Sequence, residues 1–253
     1  MRKSLIGAVV LQAGVCLSVT GAAQAQDKPA ETFTYATYYV CDVVQQERSD
    51  EIYKTLNQPF MDAAVADGSL SAYGLYAHQT GGRWRRVSFS VAPSIQALLD
   101  AQKKIGDQMD AKDKGGKLDD EYGKICNSHD DYIWRRVGGN AGTTSPGGAV
   151  FSTYYVCDSR EAQADAIAMQ IFAPILDKIV AEGKLKTWGY MEHIVGGQFR
   201  RLETLGAADV KSLMEARAEI NDALTDNPLG DLFTEICDSH ADYIWEVKAS
   251  GNR

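Results

Sequence analysis

Thr37-Tyr38-Tyr39-Val40-Cys41-Asp42 recurs as Thr153-Tyr154-Tyr155-Val156-Cys157-Asp158. Ile125-Cys126-Asn127-Ser128-His129, followed by Asp131-Tyr132-Ile133-Trp134, recurs as Ile236-Cys237-Asp238-Ser239-His240, followed by Asp242-Tyr243-Ile244-Trp245. A period of roughly a hundred residues is too long for a stacked solenoid and long enough for a small domain. The chain therefore reads as one unit written twice.

The segments between these anchors repeat as well. Thr34 to Cys41 and Ala149 to Cys157 carry the tyrosine, threonine and valine content of strands. Ile52, Leu56, Phe60 and Ala64, and in the second copy Ile167, Ile171, Ile175 and Ile179, fall at helical spacing before Gly68 and Gly183. Pro59 and Pro174 sit at equivalent points inside these helices and predict a shared kink or broken turn. Second strands are predicted at Leu70 to His78 and Leu185 to His193, hairpins at Gly81-Gly82 and Gly196-Gly197, and third strands at Arg83 to Val91 and Gln198 to Leu205. An amphipathic helix, a shorter helical turn and a last strand, Asp131 to Val137 or Asp242 to Val247, complete each copy.

The ends and the joint read differently. Met1-Arg2-Lys3, an apolar run from Leu5 to Val19 and Ala23-Gln24-Ala25 have the order of a signal peptide cleaved after Ala25. Residues 26–32 read as a disordered leader, 33–137 as the first repeat, 138–148 as a flexible Gly-rich linker and 149–250 as the second repeat. No later stretch approaches the ~20 apolar residues of a membrane span. The mature protein is expected to be secreted or periplasmic.

The formal charge is −8, and −10 once Arg2 and Lys3 leave with the signal. An acidic chain without a basic block has no electrostatic reason to hold nucleic acid. Cys16 leaves with the signal, and the remaining four cysteines fall at matched places, two per repeat. In an exported chain such a set reads as disulfides, with no Cys-x-x-Cys for metal or redox work. Three pairings are open, and the repeat symmetry favours Cys41 with Cys126 and Cys157 with Cys237.

The order strand, helix, strand, strand, helix, strand resembles the ferredoxin-like plait of the dimeric α/β-barrel superfamily. Tandem copies in one chain resemble its fused members, such as the chlorite dismutase and dye-decolorising peroxidase groups. The resemblance implies an α+β fold of two βαββαβ repeats whose antiparallel sheets face each other as an intrachain barrel. It also places the end of strand one beside the start of strand four, which suits the two intra-repeat disulfides.

Candidate site residues also come in pairs. Arg86 and Arg201 each follow an aromatic, Trp84 or Phe199, by two residues, and period-two geometry puts arginine and ring on one face. If that face looks into the barrel, the arginine can hold an anionic planar ligand; a surface cation or an ordinary ion pair is the plainer account. Tyr38 and Tyr154, with Trp134 and Trp245, read as cross-strand packing or as a lining for an aromatic molecule. His78, His193, His129 and His240, with Asp42 and Asp158, are expected at one rim, where they are either structural or an acid-base or metal site, although no compact ligand motif points to a metal. No haem-attachment, nucleophile-elbow, phosphate-loop or dinucleotide motif is present, and the cofactor is left open.

Three functions follow from these readings. The first is a module that holds a small aromatic or anionic molecule between the sheets. The second, implied by the superfamily, is an oxygenase or haem-dependent enzyme with a histidine as ligand or base. The third is a structural or interaction protein with a packed barrel. Oligomeric state is not legible.

Overall fold

Eight antiparallel strands close on themselves in the order β1-β3-β2-β8-β5-β7-β6-β4. The computed structural model describes residues 31–140 and 142–253; the expected signal peptide and residues 26–30 of the expected leader lie outside the described residues.

The first half runs β1 (Phe33–Val40), α1 (Gln46–Ile52), a π-helical turn (Tyr53–Asn57), α2 (Gln58–Ala66), β2 (Ala72–Gly81), β3 (Arg86–Ala92), α3 (Ile95–Lys112), α4 (Lys117–Ile125) and β4 (Ser128–Gly139). The second half repeats this order as β5 (Ala149–Val156), α5 (Glu161–Ile167), a π-helical turn (Ala168–Phe172), α6 (Ala173–Ala181), β6 (Thr187–Val195), β7 (Arg201–Ala207), α7 (Val210–Leu224), α8 (Pro228–Ile236) and β8 (Ser239–Asn252). The fold is α+β, with the helices outside an antiparallel barrel.

The shared break takes a specific form. A proline has no N–H for the carbonyl four residues back, and the helix widens by one register step just before it. Both π-helical turns end one residue short of the helices that open Gln58-Pro59 and Ala173-Pro174. In the first copy the Thr55 carbonyl, which Pro59 cannot reach, accepts the Lys112 ammonium. The next helices start on matched caps: Ser94 Oγ accepts Ala97 N–H at 3.1 Å, and Asp209 Oδ1 accepts Ser212 N–H at 2.7 Å.

Within each half, β1 pairs with β3 and β4, and β5 with β7 and β8. The halves join along two seams, β2 with β8 and β4 with β6, each broken by bulges. Strand period two then sorts the side chains. On β1, Phe33 and Tyr35 pack under the helices, whereas Ala36 and Tyr38 point into the barrel. Outer cores form under the helices, two in the first half and one in the second, and a further core fills part of the lumen.

Disulfides Cys41–Cys126 and Cys157–Cys237 tie the end of each first strand to the start of each last one, across sequence separations of 85 and 80. The described residues of the 138–148 segment hydrogen-bond and pack against the barrel. Asn140 Oδ1 accepts Trp188 N–H at 2.7 Å, Gly147 N–H reaches Val247 O at 2.9 Å, and Thr144 is buried against Gly206, where any Cβ would collide with it.

Candidate functional site

The two ends of the lumen differ. One end is plugged by rings: Tyr38 stacks on Trp84 at 4.4 Å, Trp84 on Tyr243 at 5.2 Å, Tyr132 on Trp134 at 4.9 Å and Tyr243 on Trp245 at 4.9 Å. The hairpins close the plug from outside, each over the other half's ring. A Cβ on Gly196 would lie 2.4 Å from Tyr132, and one on Gly82 would lie 2.3 Å from Tyr243. Glycine is needed at Gly196 for a second reason, its positive φ of 142°.

The other end holds a cavity of about 290 Å³ that opens beside the 140–144 segment and Arg253. Its size follows from unequal side chains at equivalent positions. Tyr76 and Phe89, edge to face at 5.0 Å, wall one side, while their counterparts Met191 and Thr204 leave room on the other. The floor is apolar or aromatic, with Tyr38, Tyr154, Trp134, Val87 and Leu202. Burial pushes the Tyr38 and Tyr154 hydroxyls well above the usual phenol range, so both are neutral donors at neutral pH. Trp134 and Trp245, both fully buried, each have an Nε1–H without a hydrogen-bond partner among the described residues, and of the two only Trp134 lines the cavity. Trp84 and Trp188, by contrast, donate to Asp130 and Asp177 at 2.7 and 2.8 Å.

Arg136 is the residue that sequence reasoning missed. It lies on β4 two residues after Trp134, lines the same cavity and donates to the carbonyl of Asn140. Burial lowers its pKa from the usual arginine value. The sequence did hold a signal: the position equivalent to Arg136 in the second copy is Val247, so the repeat departs from its own pattern there.

Arg86 and Arg201 do not line the lumen. Strand β3 begins only at Arg86, after an irregular Trp84-Arg85 step in which Arg85 N–H bonds Tyr39 O and Arg85 O accepts His78 N–H. The alternation shifts there: Trp84 and Val87 point inward and Arg86 outward. Both arginines are buried against helices. Arg86 donates to Asp50 at 2.5 and 2.8 Å. Arg201 donates to Asp165 at 2.5 and 2.7 Å, and to Glu161 and the Arg200 carbonyl at 2.8 and 2.7 Å. Phe199, Tyr38 and Tyr154 do join Trp84 in the lumen core.

The histidines fall into two separate sets. His78 and His193 pack edge-on against Trp245 and Trp134 at 6.1 Å, and desolvation, then the nearby Arg85 or Arg200, lowers both pKa values. His129 and His240 lie on the outer face beside Asp131 and Asp242, at 3.0 and 3.4 Å. Asp42 and Asp158 are occupied by their own turns, accepting from the N–H groups of Val44 and Arg160 at 2.7 and 2.8 Å. The six do not converge on one rim, and among the described residues no group of three His, Cys, Asp or Glu side chains is placed to hold a metal ion.

Two further cavities lie between helices and the outer sheet faces at equivalent places. The first-copy cavity, about 270 Å³, includes Ser88, Gln102, His129 and Asp131. The second-copy cavity, about 240 Å³, has Glu203, Arg217, His240 and Asp242 at those positions. Tyr155 donates to Glu203 at 3.0 Å, and burial raises the Glu203 pKa above the usual carboxylate range.

No protein-family model matches the chain, and no curated protein sequence matches it. Solved structures do resemble it in fold. A candidate monooxygenase from Lactobacillus acidophilus NCFM superposes with a TM-score of 0.59 at 8% identity, over 87% of this chain and 96% of its own. The two share an architecture over nearly their whole lengths. An anthrone oxidase-like protein gives a TM-score of 0.55 at 9% identity over 88% and 93% of the two chains. A mutant chlorite dismutase from Candidatus Nitrospira defluvii, in complex with cyanide, gives 0.51 at 5% over 86% and 91%. At these identities the likeness is one of architecture, because one fold hosts many activities.

Proposed function

We propose that the protein binds a small, mainly apolar molecule in the open end of the barrel lumen. The unpartnered indole N–H of Trp134, buried beside an apolar cavity of about 290 Å³, carries this reading. A buried donor without an acceptor is costly, and a bound molecule that supplies one removes the cost. The volume is near the lower end of ligand pockets, room for roughly ten water volumes and hence a one- or two-ring molecule. The duplicated sequence and matching element order support an origin as two ferredoxin-like plaits in tandem, and the two disulfides support an oxidising compartment outside the cytosol. A barrel packed solid, the purely structural alternative, is disfavoured by this open end.

Thr204→Phe tests the reading, since it places in the second copy the side chain that Phe89 supplies in the first. Native mass spectrometry of protein from its own host should show a small molecule retained by the wild type and lost from a folded Thr204→Phe variant. Retention by both would place the molecule elsewhere.

A second reading is an oxygenase acting in the second-copy cavity, favoured by the fold neighbours and by the Tyr155–Glu203 hydrogen bond at 3.0 Å. Burial favours the protonated form of Glu203, which can donate a proton from its carboxyl oxygen. A haem macrocycle, several times larger than a one- or two-ring molecule, exceeds this cavity and the lumen alike, and no step is derived through it.

A further inference from the structure

The charge around the lumen cavity is one-sided. Among the described residues that line it, Arg136 and Arg253 are the only charged ones and no side-chain carboxylate is present; the Arg253 guanidinium lies over Gly68, outside the lining, so Arg136 is the charge that faces the cavity. This is not a by-product of composition, because the chain as a whole carries −8. Nor is it how this protein treats its other enclosed arginines. Arg86 is matched by Asp50, and Arg201 by Asp165 and Glu161. Arg136, half-buried, has the neutral carbonyl of Asn140 and no carboxylate within ion-pair distance among the described residues. A guanidinium taken partly out of water without an anion is expensive, and its planar fork matches a carboxylate's two oxygens.

Position sharpens the point. Arg136 and Trp134 stand on one face of β4, about 7 Å apart along the strand by period-two geometry, so both present donors to the same space. Their counterparts differ in one respect only: Trp245 keeps the indole, while Val247 is a buried apolar residue of the lumen core. The barrel closes with valine at this place, so an arginine is not required for the architecture.

We propose, resting on the lumen reading above, that the ligand is an aromatic carboxylate, its anionic end held by Arg136 at the cavity mouth and its ring enclosed between Trp134 and the two first-strand tyrosines. The aromatic floor supplies flat apolar contact for the ring. The second copy contributes space, through Met191 and Thr204, and the first contributes the charge.

The test is a calorimetric panel of one- and two-ring aromatic carboxylates, 2-naphthoate among them, each paired with its neutral amide. It is run on the wild type, on Arg136→Val, which copies the second repeat, and on Arg136→Lys, which keeps the charge without the fork. The wild type should prefer acids over amides by roughly 10- to 100-fold, the range of a hydrogen bond to a charged group. Arg136→Val should lose that preference through weaker acid binding, with amide affinity kept within about threefold, and Arg136→Lys should fall between. Equal binding of acids and amides by the wild type, or equal loss of both in Arg136→Val and Arg136→Lys, would overturn the anion assignment while leaving the lumen site standing. Failure of the whole panel to bind the wild type would remove the lumen site and this inference together.

Discussion

Arg201→Met should destabilise the protein by about 3 kcal/mol. Breaking a buried pair by removing one partner costs 3–5 kcal/mol, chiefly because the remaining charge is stranded. Here Asp165, 2.5 Å from the guanidinium, is stranded, while Glu161, at 2.8 Å, keeps its ion pair with Arg200. They are 19% and 27% exposed, so water can recover part of the loss, which sets the estimate at the lower end of the range. Adding Asp165→Leu and Glu161→Gln to Arg201→Met should restore most of the stability, because a neutral, well-packed cluster of similar volume is no worse than the ion pair. Urea unfolding followed by tryptophan fluorescence reads this directly, as a lowered midpoint at unchanged slope. The pH dependence gives a second check. Desolvation raises the Glu161 pKa, but hydrogen bonds from Arg200 and Arg201 outweigh it and hold the carboxyl below its ordinary value. Its stabilisation is present above the unfolded pKa of about 4.3 and is lost as pH falls through the folded value, so the Arg201→Met penalty should shrink in acid. A loss below about 1 kcal/mol, or one unchanged down to pH 3, would refute the argument that these arginines serve the helix–sheet interface.

Three further outcomes are expected. Replacing Cys157 and Cys237 together by alanine should cost about 4.5 kcal/mol by the loop-entropy argument for a separation of 80 residues, read by the urea midpoint. Glu203→Gln should stabilise the fold at pH 7 to 8 and leave it unchanged near pH 4: burial raises this carboxyl's folded pKa, so the cost of ionising it appears only as pH rises past the unfolded value, and thermal melts at the two pH values test the sign. Gly196→Ala, with a φ of 142° and Tyr132 only 2.4 Å from the new Cβ, should cost roughly 2–5 kcal/mol by the same urea assay, whereas alanine at the open, helical Gly123 should not destabilise.

Repetition carried most of what was legible in the sequence. Matched cysteines, prolines and Gly-Gly pairs pointed to the disulfides, the shared helix break and the ring-covered hairpins, because each is a local requirement written twice. The face that Arg86 and Arg201 occupy was not legible, although the ion pairs they form are the plainer of the two accounts their sequence offered. It turned on an irregular step at Trp84-Arg85, and a single unpaired residue shifts every later side chain to the opposite face. The same dependence hid the histidines, since strand order placed His78 and His193 on the lumen side and His129 and His240 outside. Arg136 was visible only as a mismatch with Val247, and symmetry-guided reading looks for agreement between copies. What distinguishes this chain's lumen lies where the copies disagree.

Indole proton–nitrogen spectra test the central claim most directly, because the protein has four tryptophans and, among the described residues, only Trp134 lines the cavity with an unpartnered Nε1–H. On titration with 2-naphthoate, the Trp134 resonance should move furthest and downfield as it gains an acceptor, while those of Trp84 and Trp245, packed within the ring plug, stay nearly still. A titration that saturates with the Trp134 resonance unmoved would contradict a ligand site in the lumen.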